Sequence, residues 1–345
     1  MGQDVASYDL GKLTGRRVTH VKAAACEIDA ERSIVRARGS AGRQELRFDA
    51  AIVAVGSSIS TARVPGVAEH AHTIADAGAA ARMAVALRHL PDGAVVHVVG
   101  GGLTGIEVAS EIADRRPGLR VRLLCPAVFA SAFSERGRSE LVARLERLGV
   151  EVREDAEVIA VEPRSLTLAG GDEVGHDLVV WCAGFAVPSL LADSDLATDA
   201  DGRLLVDAGL RSVSHPHVLG AGDAAAVPAL PNGGAYRMSC QAGIPSGAHA
   251  ADTVAAIARG RDPRPFDLGY LAWNVSLGRG DGVVQWVDRA DRPKPAVLVG
   301  RRAALCKELA TRGTVAGIRM ERRVTGSLKW LSGGQVVAGL DAATA

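Results

Sequence analysis

Residues 94–113 read AVVHVVGGGLTGIEVASEIA, and no other stretch limits the possible folds as tightly. A β-branched run follows the turn LPDG, then come glycines in the G-x-G-x-x-G spacing. Ile106, Ala109, Ile112 and Ala113 then recur at helical intervals, so the stretch predicts strand, tight turn and helix. LRVRLL supplies a second strand, and the βαβ unit closes within about thirty residues. In a chain with 40 glycines the bare pattern is weak, and it is the surrounding unit that makes it specific. Gly100 makes the turn, Gly102 lets the backbone approach a pyrophosphate, and Gly105 permits close helix–strand packing. Free N–H groups at the helix start, that of Thr104 among them, face the phosphates along the helix dipole. Gly100, Gly102, Thr104 and Gly105 are therefore the candidate NAD(P)H-binding residues; the bland alternative is a glycine loop closing a strand–helix corner.

One expected element is missing. An acid about 20 positions beyond the glycines normally accepts a hydrogen bond from the adenosine ribose. Here the second strand ends in LLCPAV, with Cys125 in place of a carboxylate and no arginine immediately after it. NADH and NADPH both remain open, with NADH favoured.

Such a unit usually opens a chain, whereas here 93 residues precede it. An internal repeat accounts for them. FDAAIVAVGS at 48–57 and HDLVVWCAGF at 176–185 each run from Asp through six mostly apolar residues to Gly, aligning Asp49 with Asp177 and Gly56 with Gly184. A hairpin-like stretch precedes each, so the repeated unit is a β-meander plus a buried strand ending at glycine. Gly184 follows Gly100 by 84 residues, and the same interval measured back from Gly56 falls before residue 1. The expectation is a first dinucleotide domain whose βαβ opening lies outside this chain, followed by a complete second one.

The segments FDAAIVAVGS, RVPGV, VVGGGLTGIEVASEIA, LERLGVEV, VVWCAGF, HPHVLGAGDAA and SCQAGIPSGAHAAD run through most of the chain. They resemble the two-dinucleotide-domain flavoproteins that use pyridine nucleotides, most closely type II NADH dehydrogenase-like oxidoreductases. The resemblance implies an α/β fold of two Rossmann-like domains, the first shortened at its N-terminus, plus a small α+β C-terminal region. Residues 1–66 and 186–260 would form the remainder of the FAD domain, 67–185 the inserted NAD(P)H domain, and 261–345 the C-terminal region. It further implies that FAD is held near Gly222 and Asp223, whose carboxylate would receive the ribityl hydroxyls, with Gly56 and Gly184 at the cofactor-facing strand ends. The helix after SCQ would aim its positive end at the flavin pyrimidine ring. Gln241 matches the glutamine at the flavin and quinone face, and Glu107 a glutamate near the nicotinamide, although a first-turn carboxylate stabilised by the helix dipole explains Glu107 equally well. A second glutamine usual in type II enzymes is absent from AGIPSGAH, which puts quinone use in doubt. A disulfide reductase of the same superfamily is disfavoured, because the five cysteines are dispersed and no histidine follows His249.

Composition narrows the partners. A formal net charge of +1 gives no global field to recruit nucleic acid. Five cysteines without C-x-x-C fit neither a disulfide framework nor a zinc site, and no stretch has signal-peptide or membrane-span character; a cytoplasmic setting is expected. YLAWNVSL, VVQWV and AVLVG predict a small antiparallel sheet, and RRAALCKELATRG a helix ending at Gly313. Residues 301–330 carry eight Lys and Arg against Glu308 and Glu321, with Trp330 and Leu331 next, so 301–331 is the candidate for peripheral membrane contact; a solvated basic face is the alternative. The function expected is an FAD-dependent NAD(P)H oxidoreductase passing hydride to flavin and electrons to a quinone or other small acceptor. The rival is a non-catalytic NAD(H)-binding remnant that no longer holds FAD. The oligomeric state is not legible.

Overall fold

The computed structural model describes residues 9–15, 17–228 and 236–333. At its centre lies a parallel sheet in the order Leu178–Trp181, Val95–Val99, Arg120–Leu124, Glu151–Arg153. The first three strands are covered on both faces, which is why Val96, Val98, Val121, Leu123, Val179 and Val180 form near-continuous apolar runs. The helix Leu103–Arg115 buries Ile106, Ala109, Ile112 and Ala113, the face its spacing predicts. The helix Glu135–Arg147 begins at Ser134, whose hydroxyl accepts from the Gly137 N–H at 3.1 Å. His72 adds a rung to the outer edge, donating to the Val179 carbonyl at 2.8 Å and accepting from the Trp181 N–H at 2.7 Å.

Two antiparallel meanders flank this centre. Ala23–Asp29, Ile34–Gly39 and Gly42–Arg47 form one, and Val158–Val161, Ser165–Leu168 and Glu173–Gly175 the other. Each leads into a parallel-paired strand, Ala51–Val53 in the first case and Leu178–Trp181 in the second. Beyond each strand stands a left-handed glycine, Gly56 at φ 67° and Gly184 at φ 72°. The residues past those glycines pair with each other, Ser58–Ile59 running antiparallel to Phe185–Ala186. The repeat read from the sequence is thus present in the fold, and its two copies meet through equivalent segments. Ala51–Val53 pairs with Val218–Gly220 and, among the described residues, with no other strand.

The C-terminal strands Ala272–Ser276, Gly282–Val287 and Pro293–Val299 form the expected antiparallel sheet. This sheet serves both cores: Tyr270 and Trp273 pack with Val53, Leu219 and Phe266, whereas Val275, Leu277 and Val283 pack with Ile106, Leu123 and Leu145. One helix end differs from expectation. The last helix does not stop at Gly313 but spans Arg301–Arg323. Gly313 lacks the left-handed φ of a terminating glycine, and its interior cost of about 1 kcal/mol is outweighed by the good helix formers that follow. The helix Cys240–Ile257 holds Pro245 in its second turn, where the missing N–H leaves the Gln241 carbonyl without its usual partner.

Candidate functional site

The glycine turn behaves as its chemistry requires. Gly100 sits at φ 118°, and a Cβ there would come within 3.0 Å of the Cys182–Ala183 backbone. A Cβ on Gly105 would lie 1.8 Å from the Gly100 carbonyl oxygen, so only glycine allows that approach. Gly102 is the N-cap, makes no side-chain capping bond, and faces open space. The first N–H groups of the helix, including that of half-buried Thr104, are therefore left without a capping side chain, as an anion site needs.

A cavity of about 360 Å³ opens over this turn. Its lining is Gly101–Leu103, the loop 125–133, and two side chains from far along the sequence, Arg237 and Trp273. Among the described residues no carboxylate lines it. Cys125, where the ribose acid was sought, is buried against Gly101, and burial pushes its thiol up to about 11, so it stays neutral. Glu154, at the next strand end, is committed elsewhere: it accepts from Arg138 Nη2 at 2.7 Å and from the Phe129 N–H at 2.9 Å. The Arg138 bond, more than any other contact, holds its pKa below the usual carboxylate value.

Asp223 occupies a short 3₁₀ turn after the strand Val218–Gly220. Its Oδ2 accepts from the Ser57 hydroxyl at 2.6 Å, which joins it to the residue after Gly56. Gly222, at φ 64°, lies against Gly243 and donates its N–H to Ser246 Oγ at 2.9 Å. Between them is a cavity of about 10 Å³ lined by Arg203, Asp223, Tyr236, Arg237 and Ser246, room for about one water. The helix Cys240–Ile257 starts beside it, and Ser239 provides no side-chain cap. Gln241 Oε1 accepts from Arg237 Nη2 at 3.0 Å. Of the residues read from the sequence, Gly222 and Asp223 line this small cavity; Ser57 joins it through its bond to Asp223 and Gln241 through its bond from Arg237, with Gly56 adjoining Ser57.

Glu107 is placed differently. It does not line the nucleotide cleft; its Oε1 accepts from the Ser276 N–H at 2.8 Å and from Lys307 Nζ, tying the nucleotide helix to the C-terminal sheet and last helix. Trp330, considered above as a membrane anchor, packs on the first core and donates its indole N–H to the Asp267 carbonyl at 2.9 Å. His217 Nε2 is 2.8 Å from the Ala30 carbonyl oxygen, and His215 Nδ1 is 3.1 Å from Ser214 Oγ. Arg237 and Trp273 escaped the sequence reading, because nothing local marks a residue whose role arises only where three distant segments meet.

These features test which dinucleotides the residues suit. The NAD(P)H side fits, with an uncapped helix start, a glycine open to the cleft, and a cavity. The FAD side fits in part: Asp223, Gly222 and the start of the helix Cys240–Ile257 suit a ribityl–flavin end. A Cβ at Gly56 would meet nothing within 4 Å, and no described glycine turn stands there as Gly100 does against Cys182 and Ala183.

Comparison with known proteins gives a consistent result. The pyridine nucleotide-disulphide oxidoreductase family model matches residues 5–253. An NADH dehydrogenase-like protein of Mycobacterium tuberculosis is 34% identical over 263 residues, covering 71% of this chain and 64% of that protein. A type II NADH:quinone oxidoreductase of the same organism is 30% identical over 204 residues, covering 51% and 42%. The chain thus spans less than two thirds of the length of these relatives. Among solved structures, NDH2 of Plasmodium falciparum in complex with NADH superposes with a TM-score of 0.72 at 14% identity, covering 89% of this chain and 85% of that one, which shows the shared fold.

Proposed function

The chain belongs to the pyridine nucleotide-disulphide oxidoreductase family, and on that premise we propose that it is an NADH dehydrogenase-like oxidoreductase that takes electrons from NAD(P)H through FAD. The observation that carries this reading is the uncapped helix start at Gly102, open to the 360 Å³ cleft. Gly100 and Gly105 shape the turn, Gly102 lets the backbone approach, and the N–H groups at the helix start, that of Thr104 among them, hold the pyrophosphate. Asp223, oriented by Ser57, receives the ribityl chain, and Gln241 stands at the ring end of the flavin. Bound flavin supplies the hydride-accepting chemistry, and the protein supplies orientation and electrostatics. Glu107 serves in this scheme as an interdomain tie. The acceptor is a quinone or another small molecule, in keeping with the quinone reductases among the relatives.

A second reading has an observation of its own. The 10 Å³ cavity beside Asp223 and the open space at Gly56 favour a protein that binds NAD(H) without retaining FAD. Recombinant protein separates the two. A flavin absorption band with NADH-dependent dye reduction supports the oxidoreductase, and colourless protein that binds NADH supports the alternative. Gly102→Val tests the carrying observation. The φ of −73° at Gly102 suits any residue and nothing lies within 4 Å of its Cβ position, so the variant should fold normally and lose NADH affinity by at least about tenfold. Unchanged NADH binding in that variant would sink the reading.

A further inference from the structure

Among the described residues, Arg237 is the one charged side chain lining the nucleotide cleft, and it lines the Asp223 cavity as well. All the other cleft residues except Trp273 fall within 101–133, so Arg237 and Trp273 form a wall facing the glycine turn from another part of the chain. The guanidinium is held on several sides. Its Cζ lies 4.5 Å from the Tyr270 ring centroid and 5.4 Å from that of Trp273. Nε is 2.5 Å from Asp291 Oδ2, Nη2 donates to Gln241 Oε1 at 3.0 Å, and the backbone N–H donates to Tyr270 Oη at 2.8 Å. Asp291 in turn accepts from the Trp273 indole at 2.7 Å.

A cation fixed this firmly at the edge of an otherwise uncharged cleft suits an anion that arrives with the ligand. We propose that Arg237 is a phosphate clamp: its guanidinium, at the wall of the cleft that Gly101–Leu103 also line, binds the pyrophosphate of the dinucleotide. Backbone N–H groups and the helix dipole neutralise the pyrophosphate only partially, whereas a guanidinium offers paired donors matched to phosphate oxygens. The aromatic stack and Asp291 limit the rotamers of Arg237, so little side-chain entropy is lost when it engages. The clamp also explains how affinity is kept without a ribose-binding acid after the second strand, where Cys125 stands. Because Arg237 bonds to Gln241, the clamp connects nucleotide occupancy with the Asp223 cavity.

The inference rests on the nucleotide reading above, and one titration separates the two. NADH and ADP-ribose are titrated into the full chain by calorimetry for wild type, Arg237→Gln, Arg237→Lys and the double variant Arg237→Gln/Asp291→Asn, with melting temperatures recorded alongside. The double variant removes both charges of the pair and guards against a misfolded single variant. Expected is a loss of about 10- to 100-fold for both ligands in Arg237→Gln and in the double variant, with Arg237→Lys recovering part of it. A loss confined to NADH overturns the phosphate assignment, since ADP-ribose carries the same pyrophosphate. Wild-type affinity in the double variant overturns any role for Arg237 in binding. Failure of the wild type to bind either ligand overturns the nucleotide reading itself, and this inference with it.

Discussion

His97 is fully buried in the middle of the strand Val95–Val99, directly behind the glycine turn. Nε2 lies 3.1 Å from the Gly175 carbonyl oxygen and Nδ1 has no partner among the described residues, while His176 packs against its edge at 6.4 Å. Burial lowers its pKa from the ordinary 6.5 to about 4, the bond to Gly175 offsetting only part of that effect. The unfolded chain therefore binds this proton near pH 6.5, and the folded chain only near pH 4. Above 6.5 the contribution to stability is constant; between 6.5 and 4 the unfolded state holds more protons and stability falls, by at most about 1.4 kcal/mol per pH unit from this residue. Urea unfolding from pH 7 to 4.5 should show that slope, steepened by His176, whose pKa burial also lowers. In His97→Gln the slope should be shallower, and an identical slope would remove His97 as its source.

At the scale of elements, the helix Arg301–Arg323 buries little beyond Ala303 and leaves a continuous stripe exposed. Arg302, Leu305, Leu309, Arg312, Ala316, Met320 and Arg323 recur at helical intervals, all exposed, with Leu305, Leu309 and Met320 each more than half accessible. Apolar residues flanked by arginines are the pattern of a helix lying on an anionic lipid surface. No helix among the described residues is long and apolar enough to cross a membrane. Vesicles rich in anionic lipid should carry the protein in flotation, neutral vesicles should not, and Leu305→Asp/Leu309→Asp should abolish the difference. Equal recovery from both vesicle types would leave this stripe as a solvated face. The extension of the helix beyond Gly313 is what makes the stripe long enough to matter, since it places Ala316, Met320 and Arg323 in register with the two leucines.

On the scale of the whole molecule, the C-terminal sheet fastens the two cores together, and Gln285 is a main fastener. Fully buried, it accepts from the Ser134 N–H at 3.1 Å and the Ser134 hydroxyl at 2.7 Å, and donates to the Lys294 carbonyl at 2.6 Å. Gln285→Leu should cost about 1–3 kcal/mol by leaving those groups unpaired, read as a lower urea midpoint for one transition spanning both cores; a wild-type midpoint would deny the tie its importance. Much of this molecule was legible beforehand. The turn at Gly100–Gly105, the helical face of Ile106 and Ala109, and the twin strands ending at Gly56 and Gly184 follow from local rules: backbone conformations that only glycine adopts, and burial that imposes a period on apolar residues. The pairing of Ser57 with Asp223, the diversion of Glu107 to Lys307, and the seat of Arg237 between two cavities arise from segments more than a hundred residues apart, where packing alone chooses the neighbour. A chain's periodicity records which side of an element is buried. It does not record what buries it, and that was decided only when the sheet, the two repeats and the C-terminal strands closed on one another.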